Sequence, residues 1–179
     1  MELRRVLSQR NLSLRIRGPG PAAWDPSFVE ISEQITAKRE SFVRAWRCHF
    51  LALAHEFNFL ADCDLVFQRG WPPDRPLPEI LAGTREAEAQ RGQTLAGPHR
   101  ADLRISRDGV PARLSRGQAK IAVCLLQLAA ERVHRTEGLD ASLWLLDDLD
   151  AELDDETARR VRRLFDATGS QRLFTALRG

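Results

Sequence analysis

Apolar positions in the first half of the chain recur with helical spacing. Phe28, Ile31, Ile35, Phe42, Trp46, Phe50 and Leu53 follow one another at three, four and seven residues, which places them on one stripe of a long helix. Asp25 followed by Pro26 supplies an N-cap and a proline at the first helical position, so this helix is predicted to run from Asp25 to about Asn58. The break Gly18-Pro19-Gly20-Pro21 separates it from a shorter Arg-rich helix. A strand is expected over 64–68, then a turn at Gly70-Trp71-Pro72-Pro73 and a helix over 78–91.

From Gly92 onward the pattern changes to alternating elements of an α/β layer. Residues 103–107, the pair Asp108-Gly109 and residues 110–114 read as a hairpin, because Asp-Gly tolerates the positive φ angles such a turn requires. A helix is predicted over 115–135. Leu143-Trp144-Leu145-Leu146 reads as a strand of the buried parallel kind, ending in Asp147-Asp148. A helix capped by Asp154 or Asp155 follows, and 173–177 form a last strand without a covering helix. The chain thus divides into a mainly helical segment, 1–92, and an α/β lobe, 93–179.

Composition narrows the chemistry. The 179 residues carry 27 basic and 25 acidic side chains, a formal net charge of +2, so any charge-driven partner must be met by a local patch. No apolar run approaches the ~20 residues that cross a bilayer, and the Arg-rich start has no apolar core behind it. A cytoplasmic protein without membrane contact is expected. Cys48, Cys63 and Cys124 lack metal-ligand spacing and read as reduced, mostly buried thiols. The only lysines, Lys38 and Lys120, are followed by Arg39 and Ile121, which excludes a GxxxxGK[ST] phosphate loop (Walker A) within this chain.

Three strings in order carry the chemistry. Leu114-Ser115-Arg116-Gly117-Gln118 opens a helix, where a hydroxyl, backbone amides and the positive end of the helix dipole can meet one anion such as a terminal phosphate. Asp147-Asp148 places two carboxylates at the carboxyl edge of a sheet, where nucleotide magnesium is held; the first can hold Mg²⁺ through a water and the second can orient an attacking water. Ala151-Glu152-Leu153-Asp154 resembles the loop that crosses the dimer interface in ABC-type ATPases. Each string alone has a bland reading as a cap or a solvated acid; the ordered set is what an ABC-type head requires.

The chain also resembles a family, RecF, bacterial recombination and repair ATPases of the ABC class related to SMC proteins. The resemblance is carried by RRVLSQRNLSLR near the start, FQRGW at 67–71, GPHRADLRISRDGVPA at 97–112, LSRGQAK at 114–120, LLDDLDAELDDE at 145–156 and LFTAL at 173–177. It implies the C-terminal lobe of an ABC-type P-loop ATPase head, α/β in class, preceded by a mainly α-helical arm segment, with the Walker A half absent. Ala119 departs from the family's usual second Gln, and Asp150-Ala151 stand for its small residue and Ser.

By this resemblance Ser115, Gly117 and Gln118 would contact a γ-phosphate held by the partner subunit, with Arg116 beside them. Asp147 would be the Walker B ligand of Mg²⁺ and Asp148 the water-orienting catalytic carboxylate. Asp154 would end the interface loop and Thr175 would occupy the switch position. The complete protein would bind ATP, dimerise as a nucleotide sandwich, engage single-stranded or gapped DNA, and work with RecO and RecR to place RecA. For this chain, a partner half supplying Walker A in trans and a non-enzymatic DNA- or partner-binding fragment both stand open.

Arg4, Arg5, Arg10, Arg15 and Arg17 against the single acid Glu2 make the first 17 residues basic. Such a ladder can follow a phosphate backbone, and it can equally be a solvated helix face. Arg159, Arg160, Arg162 and Arg163 are expected to pair with Asp154, Asp155 and Glu156. Trp24, Trp46 and Trp71 read as packing residues, and His99 as a turn residue.

Overall fold

The computed structural model describes residues 2–16, 21–147, 149 and 153–175. Two Arg- and apolar-rich stretches form the expected first helices, α1 (Glu2–Ile16) and α2 (Asp25–Ala54). They are followed by β1 (Cys63–Gln68), α3 (Leu77–Arg91), β2 (Asp102–Arg107), β3 (Val110–Pro111), α4 (Arg116–Thr136), β4 (Trp144–Leu146), α5 (Asp155–Asp166) and β5 (Arg172–Phe174). The Gly-Pro break at 18–20 lies outside the described residues. No helix is long and apolar enough to cross a membrane, among the described residues.

The chain separates into two compact units built from interleaved stretches: Met1–Ser41 with Val66–Arg104, and Phe42–Leu65 with Ile105–Gly179. In the first, Val6 of α1, Phe28 of α2, Trp71, Leu77, Ile80 and Leu81 of α3, and Ala96 form one buried apolar cluster, flanked by the half-buried Trp24. Burial of each large side chain stabilises the unit by roughly 1.5–3 kcal/mol. In the second, the α4 stripe Ile121, Cys124, Leu125 and Leu128 is buried, as are Val161 and Phe165 of α5. Trp144 meets Phe165 edge-on, ring centroids 5.0 Å apart. Trp46 packs beside Phe42 and donates its indole N–H to the Leu126 carbonyl at 2.6 Å, so the three tryptophans serve packing as expected. Cys63 and Cys124 are buried and Cys48 exposed; burial pushes the Cys124 thiol up, away from the reactive thiolate.

Three boundaries differ from expectation. α2 ends at Ala54, because Phe57 is extended (φ −122°, ψ 110°) and a 3-10 turn follows at Asn58–Leu60. The hairpin forms with Arg107 opposite Val110 and both turn residues at positive φ, Asp108 at 51° and Gly109 at 79°, but β3 spans only Val110–Pro111, followed by one further bond from the Ala112 amide to the Ile105 carbonyl at 2.9 Å. β4 pairs in parallel with β5 as predicted, yet it is not the buried strand its sequence suggests: Leu145 is 69% and Leu143 55% exposed. Parallel strands are buried when layers cover both faces, and among the described residues β4 has one strand neighbour, β5.

Candidate functional site

The Ser-x-Gly-Gln string forms the start of α4 through a reciprocal capping box. Ser115, extended at φ −67° and ψ 170°, accepts the Gln118 amide on its hydroxyl at 3.3 Å, and the Gln118 side-chain oxygen accepts the Ser115 amide at 3.0 Å. The first amides of the helix have no intrahelical acceptor, and the dipole adds positive potential at this end. Ser115 and Arg116 are exposed while Gly117 and Gln118 are half-buried. The turn therefore presents a hydroxyl, amides and a cation to solvent in a preorganised loop.

A cleft of about 410 Å³ adjoins this turn, lined by Ser115, Gly117 and Gln118 on one side and by Leu153, Asp154 and Arg160 on the other. Asp154 caps α5, its two carboxylate oxygens accepting the Thr157 amide at 2.9 Å and the Thr157 hydroxyl at 2.7 Å. The amide, then the hydroxyl, hold the Asp154 carboxyl below the usual carboxylate range. The signature turn and the end of the interface-loop string thus share one cleft, although Asp154 stands 36 positions after Gln118 in the sequence.

The α5 arginines behave differently from expectation. Arg160 donates to the Glu56 carbonyl and lies 4.9 Å from the Phe57 ring, Arg159 donates to the Asp155 backbone carbonyl at 3.1 Å, and Arg162 lies 5.4 Å from the Phe174 ring. Backbone acceptors and aromatic faces, rather than the Asp154, Asp155 and Glu156 carboxylates, meet these guanidinium groups, with Arg160 and Arg162 laid over the Phe57 and Phe174 rings and Arg159 exposed.

Parallel pairing brings a second set of groups together. Leu146 lies opposite Phe174, the Thr175 amide donates to the Leu146 carbonyl at 3.1 Å, and the Thr175 hydroxyl donates to the exposed Asp147 carboxylate. Asp147 and Thr175 therefore meet at the carboxyl ends of β4 and β5, the edge at which open α/β sheets bind ligands. Asp148 lies outside the described residues. Both groups offer hard oxygen donors of the type Mg²⁺ takes when one or two carboxylates share it with phosphate oxygens. Among the described residues no cluster of three or more His, Cys, Asp or Glu could form an all-protein metal cage.

Glu131, which the sequence reading passed over, anchors the opposite, amino-terminal ends of the same two strands. It is buried in α4 and accepts the Ser142 amide at 3.0 Å, the Ser142 hydroxyl, and the Ser170 hydroxyl at 3.2 Å. Ser142 and Ser170 each stand two residues before a strand, so one carboxylate ties the entries of β4 and β5 to α4. Burial alone would raise its pKa; the Ser142 and Ser170 hydrogen bonds outweigh burial and keep it below the usual range.

The basic α1 ladder is split by the fold. Arg4 and Arg5 are exposed, as a phosphate-following face requires. Arg10 is corrected to a buried structural residue: its side chain is 0% exposed, and it donates to Asp25 at 2.8 Å, Glu88 at 2.8 Å and the Thr94 hydroxyl at 2.7 Å. It occupies the same apolar stripe as Val6 and Leu14, so it turns inward and needs carboxylate partners. Arg15 is exposed, with its Nε donating to the Gly92 carbonyl at 3.0 Å, and Arg17 lies outside the described residues.

The Gly-Pro-His-Arg string is a structural turn in this unit. Gly97 sits at φ 136° and donates its amide to the Gly70 carbonyl at 3.2 Å; a Cβ on it would stand 2.6 Å from the Phe28 ring. His99 packs edge-on to Phe28 with Nε2 3.1 Å from the Thr94 carbonyl, the turn role expected for it.

No protein-family model matches the chain. Curated relatives do: it is 38% identical over 180 residues to the DNA replication and repair protein RecF of Pseudomonas aeruginosa strain LESB58, covering 98% of this chain and 49% of that protein. It is 34% identical over 181 residues to the protein of the same name from Shewanella oneidensis, covering 99% of this chain and 50% of that protein. Two solved structures of the recombination mediator protein RecF in the RecFOR pathway share its fold: RecF-ATP with TM-score 0.79 and RecF-ATPrS with 0.76, each 21% identical and each covering 99% of this chain and 52% of the other. The chain spans about half the length of the curated relatives it matches. Its sequence, along nearly its whole length, places it in the RecF family of DNA replication and repair proteins, in accord with its reading as the C-terminal half of such a protein.

Proposed function

We propose that this chain is the signature- and carboxylate-bearing half of a RecF-like ATPase head, with residues 93–179 as the ATPase lobe and 1–92 as the arm segment. ATP and Mg²⁺ are handled together with the half of such a protein that bears the phosphate loop, which these 179 residues do not include. The observation that carries the reading is the presence, within one compact unit, of two oxygen- and amide-rich edges: the capped turn at Ser115 and the Asp147–Thr175 pair.

Ser115, Gly117 and Gln118, with Arg116 beside them, bind the terminal phosphate of a nucleotide held on the opposite subunit. The amides and the Ser115 O–H donate to its oxygens, and the α4 dipole favours the negative charge. Asp147 holds Mg²⁺, and the Thr175 hydroxyl fixes the orientation of that carboxylate. When bound, the metal neutralises charge on the β and γ phosphate oxygens. Asp148 orients the attacking water, and Asp154 closes the interface loop against the signature cleft. Arg4 and Arg5 contact single-stranded or gapped DNA through its phosphates, and the assembled protein works in the cytoplasm with RecO and RecR to place RecA.

Reconstitution tests this. Mixed with the N-terminal half of a RecF relative that bears the phosphate loop, the chain should release phosphate from ATP in a magnesium-dependent way, and Asp148→Asn should stop it. Neither half should turn over alone. A stable mixed complex that binds DNA without hydrolysing ATP would instead establish the non-enzymatic reading.

A further inference from the structure

The cleft beside the Ser115 turn carries a cation that lies outside the signature string. Among the described residues that line it, Arg160 of α5 is the one cation and Asp154 the one acid. Arg160 is half-buried. It donates one N–H to the Glu56 carbonyl, and its guanidinium lies 4.9 Å from the centroid of the Phe57 ring, a buried residue that lines the same cleft. Among the described residues it has no carboxylate partner. A guanidinium carries five N–H donors and no acceptor, so the Glu56 carbonyl and the ring face leave most of its donors for a ligand. These two contacts also hold the group at the wall, and an arginine ordered in advance binds at a smaller entropic cost.

Asp154 does not cancel this charge by pairing with it. Both of its oxygens accept from Thr157, one from the amide and one from the hydroxyl, and its charge sits on the positive end of α5, which it caps. Across the cleft stands the start of α4, with the Ser115 hydroxyl and the first helical amides. At about 410 Å³ the cleft is near the lower end of the size range of ligand pockets, so an anion seated on the turn shares it with Arg160. An amide-rich helix start facing a fixed guanidinium fork suits phosphate oxygens, which the fork can meet two at a time.

We infer that Arg160 is a further phosphate-binding residue of this site: the terminal phosphate that settles on the Ser115 turn also accepts hydrogen bonds from the Arg160 guanidinium. The inference rests on the nucleotide reading of that turn and adds to it an arginine supplied across the subunit interface. In the hydrolysis, the water oxygen bonds to the γ-phosphorus, and the bond from that phosphorus to the β–γ bridging oxygen breaks, the oxygen leaving on ADP. One water proton stays on the phosphate product and the other passes to solvent. Arg160 keeps its own proton throughout and offsets the charge on the phosphoryl oxygens, as arginines reaching across interfaces do in other nucleotide hydrolases.

Two measurements test this, and the first separates it from the reading it rests on. The whole chain by itself is titrated with inorganic tripolyphosphate and followed by NMR. Saturable shifts with one midpoint are expected at the Gly117 and Gln118 amides and at the Arg160 Nε–H, and Arg160→Met, which keeps an aliphatic stem against Phe57, should raise that midpoint about tenfold. Shifts at the turn that leave Arg160 unmoved, or a midpoint unchanged in Arg160→Met, would overturn the inference and leave the reading standing; no saturable shift at either place up to millimolar tripolyphosphate would overturn both. In the reconstituted two-half assembly, Arg160→Ala should lower kcat about 10³-fold while ATP affinity stays within about twofold. Millimolar guanidinium ions should restore part of that rate, and urea, similar in shape but uncharged, should not. An unchanged kcat would overturn the inference, and so would a loss that guanidinium leaves as it is, the result expected if Arg160 only props Phe57 and Glu56.

Discussion

Replacing Arg10 with Met should cost the first unit about 3–5 kcal/mol, the penalty for removing one member of a buried ion pair. The structure shows why the loss is near the upper part of what a point change can do. Arg10 and Glu88 are both fully buried, and the pair is the centre of a network. Glu88 also accepts the Leu95 amide at 2.8 Å, and Thr94, which Arg10 contacts, is held by Asn11 through amide and hydroxyl bonds of 2.8 and 2.7 Å. Without Arg10, Glu88 keeps one amide for a charge it cannot show to water. Asp25 suffers less, because Arg85 still reaches it at 2.6 Å. For a chain of this length each kcal/mol moves the melting temperature by roughly 2–4 °C, so a drop of about 6–20 °C is expected in thermal denaturation followed by circular dichroism. The double variant Arg10→Met/Glu88→Leu should recover most of it, since an apolar replacement of a buried pair is often neutral or stabilising. Exposed Arg4→Met should shift stability by no more than about 0.5 kcal/mol. An Arg10→Met loss no larger than that of Arg4→Met would refute the network and return Arg10 to a solvated face.

Two further outcomes follow from the same unit. Arg4→Ala/Arg5→Ala should lower the log-log salt slope of DNA binding by up to about 2, at roughly 0.9 per phosphate contact, and an unchanged slope would remove α1 from the DNA surface. His99 should make stability fall on acidification: burial, only partly offset by the Thr94 carbonyl, holds its pKa below the ordinary 6.5, with Arg100 and Arg10 also disfavouring the charge and Glu88 favouring it. The unfolded chain then binds the proton more readily, so the contribution is complete above pH 6.5 and is lost as pH falls through the lower folded value. Denaturation between pH 7.5 and 5 should show a steeper decline for the wild type than for His99→Gln, and parallel curves would contradict the assignment.

Much of the fold was legible because its signals are local. Asp108-Gly109 demanded positive φ at both turn positions and obtained it, and Pro26 behind Asp25 marked the start of α2. Ser115 and Gln118, read for phosphate chemistry, are also the two ends of a capping box, a role their S-x-x-Q spacing carries on its own. The residues missed or misplaced are charged groups on apolar stripes: Glu88 and Glu131 drew no reading, and Arg10 was read as part of a basic, DNA-facing ladder. Arg10 continues the row Leu3, Val6, Leu7 and Leu14, Glu88 continues Leu77, Ile80 and Leu81, and Glu131 continues Cys124, Leu125 and Leu128. Periodicity could have marked all three as buried, but their partners could not be read. Arg10 and Glu88 are 78 residues apart, and Glu131 reaches 39 residues to Ser170; only the folded chain brings those atoms together. The exposure of β4 was hidden for a related reason, since burial of a parallel strand depends on layers that its own sequence does not specify.

The central claim is that the Ser115 turn acts across a subunit interface on a nucleotide held elsewhere, and Ser115→Arg in the reconstituted two-half assembly tests it most directly. The exposed side chain can be enlarged without disturbing the buried face of α4, while its bulk and charge block closure over the phosphate. ATP affinity, measured by equilibrium binding of labelled nucleotide, should stay within about twofold of the unsubstituted assembly, and magnesium-dependent hydrolysis should disappear, the signature of an interaction made only on closure. Equal loss of binding and hydrolysis would show that the turn does not act in trans, and would contradict the account.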